Sequence, residues 1–152
     1  MMNYETWYRQ MLDISYNAVN TLASIRLPSD AVVVFDIDDT LIHSNGGCII
    51  PMINVFNHVK DVGLTPIIIT NRSGDTDTID KTQKQLNECG IFGYKSLYFR
   101  KPTISDNPYK YKESARRSIH ERGMTVVMSI GDQVWDIGRY AGIGMLVPSL
   151  YM

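Results

Sequence analysis

The sequence predicts an α/β fold built on a doubly wound parallel sheet, and three observations carry that prediction. Three short runs, Ala31–Phe35 (AVVVF), Pro66–Thr70 (PIIIT) and Thr125–Ile130 (TVVMSI), are apolar, rich in β-branched residues and free of charge, as strands covered on both faces are. Stretches with helical periodicity separate them and are long enough for the crossovers that parallel pairing needs. Each run also ends abruptly in polar residues: Asp36 after the first, Asn71-Arg72 after the second, Gly131-Asp132 after the third. In such sheets the loops at the carboxyl ends of strands line one crevice, so segments far apart in sequence would converge there.

The elements follow in order. Tyr4, Trp7, Tyr8, Met11, Leu12, Ala18, Val19, Leu22 and Ile25 recur at helical spacing and Pro28 closes the run, which predicts an amphipathic N-terminal helix within residues 1–28, packed on the core. After the acidic stretch Asp36-Ile37-Asp38-Asp39, Leu41–Cys48 contains Asn45-Gly46-Gly47, a turn signal expected to form a mobile flap on which His43 and Asn45 either meet substrate or are solvated. Pro51 opens a helix with Met52, Val55, Phe56, Val59 and Val62 as its buried stripe and Gly63 as its stop. A polar helix runs from about Asp75 to Cys89, followed by a short strand near Ser96–Phe99 and a basic, proline-containing loop to Tyr109. Tyr111–Arg122 reads as a helix, and Gly144–Val147 as the last strand.

The chain is long enough for one domain, 1–152, with a sizeable core and too short for two ordinary ones. A hydrophobic content of 44%, 20% charged residues and a net charge of −1 describe a globular protein with no global bias toward nucleic acid. The opening MMNYETWYRQ lacks the basic start and apolar run of a secretory signal, and no stretch reaches membrane-spanning length. The expectation is a cytoplasmic protein with no membrane partner. Cys48 and Cys89 have no CxxC spacing and lie in segments of different character, so they are expected to be free thiols in a reducing compartment.

The chemistry starts at the end of the first strand. Asp36, Asp38 and Asp39 cannot all ionise there cheaply without a compensating cation. Oxygen-only ligands with room for substrate oxygens suit Mg²⁺; an acidic turn that merely caps the strand is the plainer alternative. A carboxylate beside Mg²⁺ is a competent nucleophile on phosphorus, so Asp36 could form an aspartyl phosphate while Asp38 gives and takes protons. Thr70 offers a hydroxyl to a phosphoryl oxygen. A lysine is needed to offset the charge on the transferring group, and Lys101, Lys110 and Lys112 are the candidates. Asn71 and Arg72, beside Thr70, are candidate substrate-phosphate contacts, with a structural ion pair as the alternative for Arg72.

Taken together, FDIDDTL, IIITNR, YKESARRSI and IGDQVWD, spanning Phe35 to Asp136, resemble the four ordered motifs of the haloacid dehalogenase-like (HAD) phosphatases. The likeness is nearest to the branch holding the bacterial class B and class C acid phosphatases and the plant acid phosphatase-like storage proteins. The resemblance implies a Rossmann-like HAD fold and a phosphoric monoester hydrolase dependent on Mg²⁺. It implies Asp36 as nucleophile, Asp38 as general acid/base, Thr70 as the second-motif hydroxyl and Lys112 as the third-motif lysine. Arg116 follows Lys112 at the family's spacing, while Glu113 stands where a serine is usual. The metal would be held by Asp36, the backbone carbonyl of Asp38 and Asp132, with Asp136 acting through water or by holding Lys112.

Only 29 residues lie between Thr40 and Thr70, and the 41 from Asn71 to Tyr111 are used by a helix, a strand and a loop; no cap domain fits, and the crevice is expected to be open. An open crevice suits a phosphate on a macromolecule. From Arg100 to Arg122 seven Lys/Arg face three Asp/Glu, which makes a nucleic-acid 3′-end or nucleotide phosphatase the alternative enzyme and a solvated helix face the plainer reading. A two-component receiver is excluded by order, because Asp132 and Asp136 follow Lys112. A non-catalytic HAD-like binding or storage protein is the alternative from another class. Trp135 is expected to pack under the site, or to offer a base a stacking surface. Oligomeric state is left open, a homodimer included.

Overall fold

The computed structural model describes residues 2–102 and 107–150. Helix α1 (Tyr4–Ser24) starts at Asn3, whose side chain accepts the Thr6 amide at 2.8 Å and so satisfies one of the free N–H groups of the first turn. Its inner stripe is Trp7, Met11, Ser15, Ala18 and Leu22, and the Trp7 indole N–H donates to the Pro148 carbonyl at 3.0 Å. Tyr4, expected in that stripe, is exposed, its ring lying against Trp7 and Tyr8.

Strand β1 (Ala31–Phe35) is buried throughout, which matches its lack of alternation. Strands β2 (Thr65–Ser73), β3 (Ser96–Arg100), β4 (Thr125–Gly131) and β5 (Ile143–Leu146) join it in one parallel sheet of order β3-β2-β1-β4-β5. Helices α2 (Ile50–Asp61), α3 (Thr76–Glu88) and α4 (Pro108–Glu121) connect the strands. Val33 and Phe35 face a core with α1, α2 and Leu86 of α3, whereas Val32 and Val34 face Ala115 and Ile119 of α4. The sheet is therefore covered on both faces, as the uncharged run of β1 requires.

Several boundaries differ from the expected ones for identifiable reasons. Val62, read as part of the α2 stripe, is 54% exposed, because α2 ends at Asp61 and Val62 turns the chain with its N–H on the His58 carbonyl. Strand β2 continues through Asn71 and Arg72: after a register shift Ser73 pairs with Arg100 of β3, and the Gly74 amide donates to the Arg100 carbonyl at 2.7 Å. Backbone pairing does not depend on side-chain polarity, so the polar tail of the run stayed invisible to an apolar criterion. Helix α4 begins at Pro108, with Asn107 capping the Tyr109 amide; residues 103–106 of the predicted basic loop lie outside the described residues.

Two expectations about the loop after β1 are overturned. Cys48 and Cys89 form a disulfide with a Cα–Cα distance of 5.6 Å, so they are not free thiols and no longer argue for a reducing compartment. Their local sequences gave no hint because it is the fold that sets the loop against the end of α3. The same loop is no loose flap: His43 and Gly47 bond at 2.7 Å, Gly46 and His43 at 2.8 Å, and Ile49 and Leu41 at 2.9 Å. His43 is buried, its ring 4.9 Å from that of Trp7, and burial lowers its pKa against the pull of Asp39. It is therefore neither solvated nor placed on an open surface. Among the described residues, no helix is long and apolar enough to cross a membrane.

Candidate active site

The carboxyl ends of β1, β2 and β4 meet at one point. Asp36 follows β1 directly, with its amide on the Ile130 carbonyl of β4 at 3.0 Å. Carboxylate oxygens of Asp36, Asp132 and Asp136 lie within 4.8 Å of one another. Lys112, buried at the start of α4, compensates them: its ammonium donates to Asp36 Oδ1 at 2.9 Å and to the Ile69 carbonyl at 2.6 Å, and it pairs with Asp136 Oδ1 at 2.8 Å. The first two are hydrogen bonds and the third is an ion pair. Lys101 and Lys110 are exposed, so of the three candidate lysines Lys112 is the one at the cluster.

Electrostatics follow from burial. Desolvation raises the Asp36 carboxyl; Lys112 pulls it back and Asp132 pushes it up again, leaving it at about 7. Asp136 is raised to about 6 by burial and by the charge of Asp36, with Lys112 opposing. Burial, with Asp136 adding to it, also raises Asp132. Burial alone would depress the Lys112 ammonium, but the charges of Asp36 and Asp136 outweigh it and hold it above the ordinary lysine range. Acidic groups that resist ionising, with carboxylate oxygens within 4.8 Å of one another, are chemically fitted to a divalent cation, whose charge would relieve all three.

The chain places Asp136 by two devices. The turn Val134–Asp136 follows β4, and the Gln133 amide donates to Asp136 Oδ2 at 3.1 Å. Gly131 makes room for this: a Cβ there would stand 2.3 Å from the Asp136 side chain. Arg116, buried one turn below Lys112, donates from Nη1 to the Trp135 carbonyl at 2.9 Å and from Nε to the Arg139 carbonyl at 2.8 Å. It braces the turn. Trp135 is half-buried with its ring edge on Tyr109, an aromatic pair at the start of α4.

On the other side of Asp36, the Ile37 carbonyl accepts the amides of Thr40, Leu41 and Ile42 at 2.9 to 3.1 Å. Asp39 takes a left-handed backbone (φ 61°) and bonds Ser44 through both carboxylate oxygens, a conformation Asp tolerates better than most residues. This tight turn presents Asp38. Its carboxylate is gripped by Arg72, with Nε on Oδ2 at 3.0 Å and Nη2 on Oδ1 at 2.8 Å. Thr70 is fully buried at the end of the apolar part of β2, and its hydroxyl accepts the Arg72 amide at 3.1 Å, which leaves its own O–H to donate elsewhere. The Asn71 side chain is exposed, and the backbone carbonyl of Asn71 accepts from Arg100 Nε at 3.2 Å. Sequence reasoning missed Thr82 and Gln85 of α3, which both accept from Arg72. No motif marks them; only a buried threonine on a polar helix could have drawn notice.

The comparisons with known proteins agree with this architecture. The family model described as HAD superfamily, subfamily IIIB (acid phosphatase) matches residues 47–146. No curated protein matches. Among solved structures, the class C acid phosphatase from Bacillus anthracis is 14% identical, with 97% of this chain and 82% of that chain covered and a TM-score of 0.70. The tungstate-bound class C acid phosphatase from Bacillus anthracis gives 14%, 100% and 81%, with a TM-score of 0.71; at that identity the likeness is one of fold. The chain is a phosphatase on a parallel α/β sheet. It belongs to subfamily IIIB of the HAD superfamily, the acid phosphatases. The matched stretch contains Thr70, Lys112, Asp132 and Asp136 and starts after Asp36 and Asp38.

Proposed function

We propose that the chain is a Mg²⁺-dependent phosphomonoesterase that works through a phospho-Asp36 intermediate on an accessible phosphate. The observation that carries this reading is the buried Asp36 carboxyl, 2.9 Å from the Lys112 ammonium and clustered with Asp132 and Asp136. Asp36 and Asp132, with the backbone carbonyl of Asp38, would hold the cation; Asp136 has one oxygen on Lys112 and the other on the Gln133 amide and serves mainly to hold them. When bound, Mg²⁺ supplies positive charge that keeps Asp36 ionised and offsets charge on the phosphoryl oxygens.

In the first step an Asp36 oxygen bonds to phosphorus as the ester P–O bond breaks. The departing oxygen keeps the electron pair and takes a proton from the Asp38 carboxyl. The Thr70 hydroxyl donates to a phosphoryl oxygen, and Lys112 holds the Asp36 oxygen that does not attack. In the second step Asp38 takes a proton from water attacking the acyl phosphate, which releases phosphate and restores Asp36. The test is hydrolysis of p-nitrophenyl phosphate by the purified chain with magnesium. Wild type is expected to turn it over and Asp36→Asn to be slower by at least about three orders of magnitude; equal rates would refute the nucleophile.

A further inference from the structure

We infer that Thr82 and Gln85 of α3, acting through Arg72, are positioning residues that hold Asp38 in line with the departing oxygen. This rests on the reading of Asp38 as proton donor, and it gives Arg72 a task other than gripping substrate phosphate. The geometry is specific. Arg72 spends Nε and Nη2 on the two oxygens of Asp38, and Nη1 on Thr82 Oγ1 at 3.0 Å and Gln85 Oε1 at 2.6 Å. Four of the five N–H donors of the guanidinium are thereby committed, and its plane is fixed at both ends.

Asp38 needs such a restraint. Its side chain is 44% exposed at the rim of the crevice, and the turn that carries it fixes backbone alone, leaving the carboxylate two side-chain rotations. A two-point pair with arginine removes both. Thr82 is fully buried on α3, one turn before Leu86, in a place where valine would fill the same space. A buried hydroxyl is costly unless bonded, and here the partner is Arg72. The disulfide ties the end of α3, at Cys89, to Cys48 in the loop that follows Asp38. The anchors and the carboxylate they orient thus belong to one cross-linked unit. Arg72, Thr82 and Gln85 also line an open groove of about 490 Å³ together with Lys81 and Lys84, so the competing role for Arg72 is to seat an anionic part of the substrate.

Leaving-group selectivity separates the two roles. Phenolate departs poorly without a proton, whereas 2,4-dinitrophenolate needs none, so a displaced proton donor penalises phenyl phosphate selectively. The full chain with magnesium is assayed for kcat/KM on both esters. Thr82→Val with Gln85→Leu is expected to lower phenyl phosphate turnover at least about 10-fold more than 2,4-dinitrophenyl phosphate turnover. Thr82→Ser and Gln85→Glu, which keep the accepting oxygens, are expected to hold the wild-type ratio. Because the readout is a ratio on one sample, the fraction of folded protein cancels. Equal losses on both esters, or a rise in KM with the ratio intact, would overturn the positioning role alone. Failure of wild type to hydrolyse either ester would overturn the phosphatase reading and this inference with it.

Discussion

Asp36 shows what a single residue can disclose. Three carboxylates at the end of an uncharged strand pose an electrostatic problem legible from sequence, whereas Asp132 was marked by its place at a strand end and by the family resemblance. The partner that answers it was not legible from chemistry: Lys101, Lys110 and Lys112 are equal as letters, and only the helical position of Lys112 sends its ammonium between Asp36 and Asp136. Thr82 and Gln85 belong to no motif, since they reach Asp38 through a third side chain. The raised acids yield a prediction with a definite sign. Without metal, the folded chain keeps protons on Asp36 up to about pH 7 and on Asp136 up to about pH 6, whereas their ordinary value is 3.8. The folded state then binds more protons than the unfolded one between about pH 4 and 7, so these groups cost stability progressively as pH rises through that window. Magnesium bound at these carboxylates would compete with those protons and gain as they leave. The rise in thermal midpoint on adding millimolar magnesium is expected to be larger at pH 8 than at pH 5.5. An equal or larger rise at pH 5.5 would contradict the assignment of these carboxylates to the cation.

Elements were legible where one physical rule dominated. Apolar runs marked β1 and β4, and Pro51 marked the start of α2; the start of α3 is fixed by Asp75, whose side chain accepts the Thr78 amide at 2.9 Å and whose pKa is lowered chiefly by that bond. They were misread where tertiary contact overrode local sequence, as in the polar end of β2 and the loop 41–49. Asn45-Gly46-Gly47 does form a turn, yet burial of His43 under α1 and the Cys48–Cys89 bridge hold its base. That bridge closes a sequence separation of 41 residues, for which loop entropy gives a stabilisation of about 4 kcal/mol. Urea unfolding of Cys48→Ser, or of the wild type in reductant, is expected to show a loss of about 2–4 kcal/mol. Unchanged stability would mean that the loop and α3 hold together without the covalent link.

At the scale of the whole molecule, alternation of strands and helices predicted the parallel sheet, and the family resemblance predicted its class. The order β3-β2-β1-β4-β5 could not be read from apolar runs, because such runs do not say which two strands flank β1. That order matters for function: with β1 at the centre and β2 and β4 beside it, the strand ends carrying Asp36, Thr70 and Asp132 are neighbours. Chemistry at this edge then follows from topology, with α4 bringing its lysine across one face and α3 bracing Asp38 through Arg72. The most direct test of the account is rapid acid quenching of the wild-type chain with magnesium and excess 2,4-dinitrophenyl phosphate, followed by peptide mass analysis. A phosphoryl group on the peptide carrying Asp36, absent from Asp36→Asn, is the expected result. Sustained hydrolysis with the phosphoryl group on another residue, or undiminished turnover by Asp36→Asn, would contradict it.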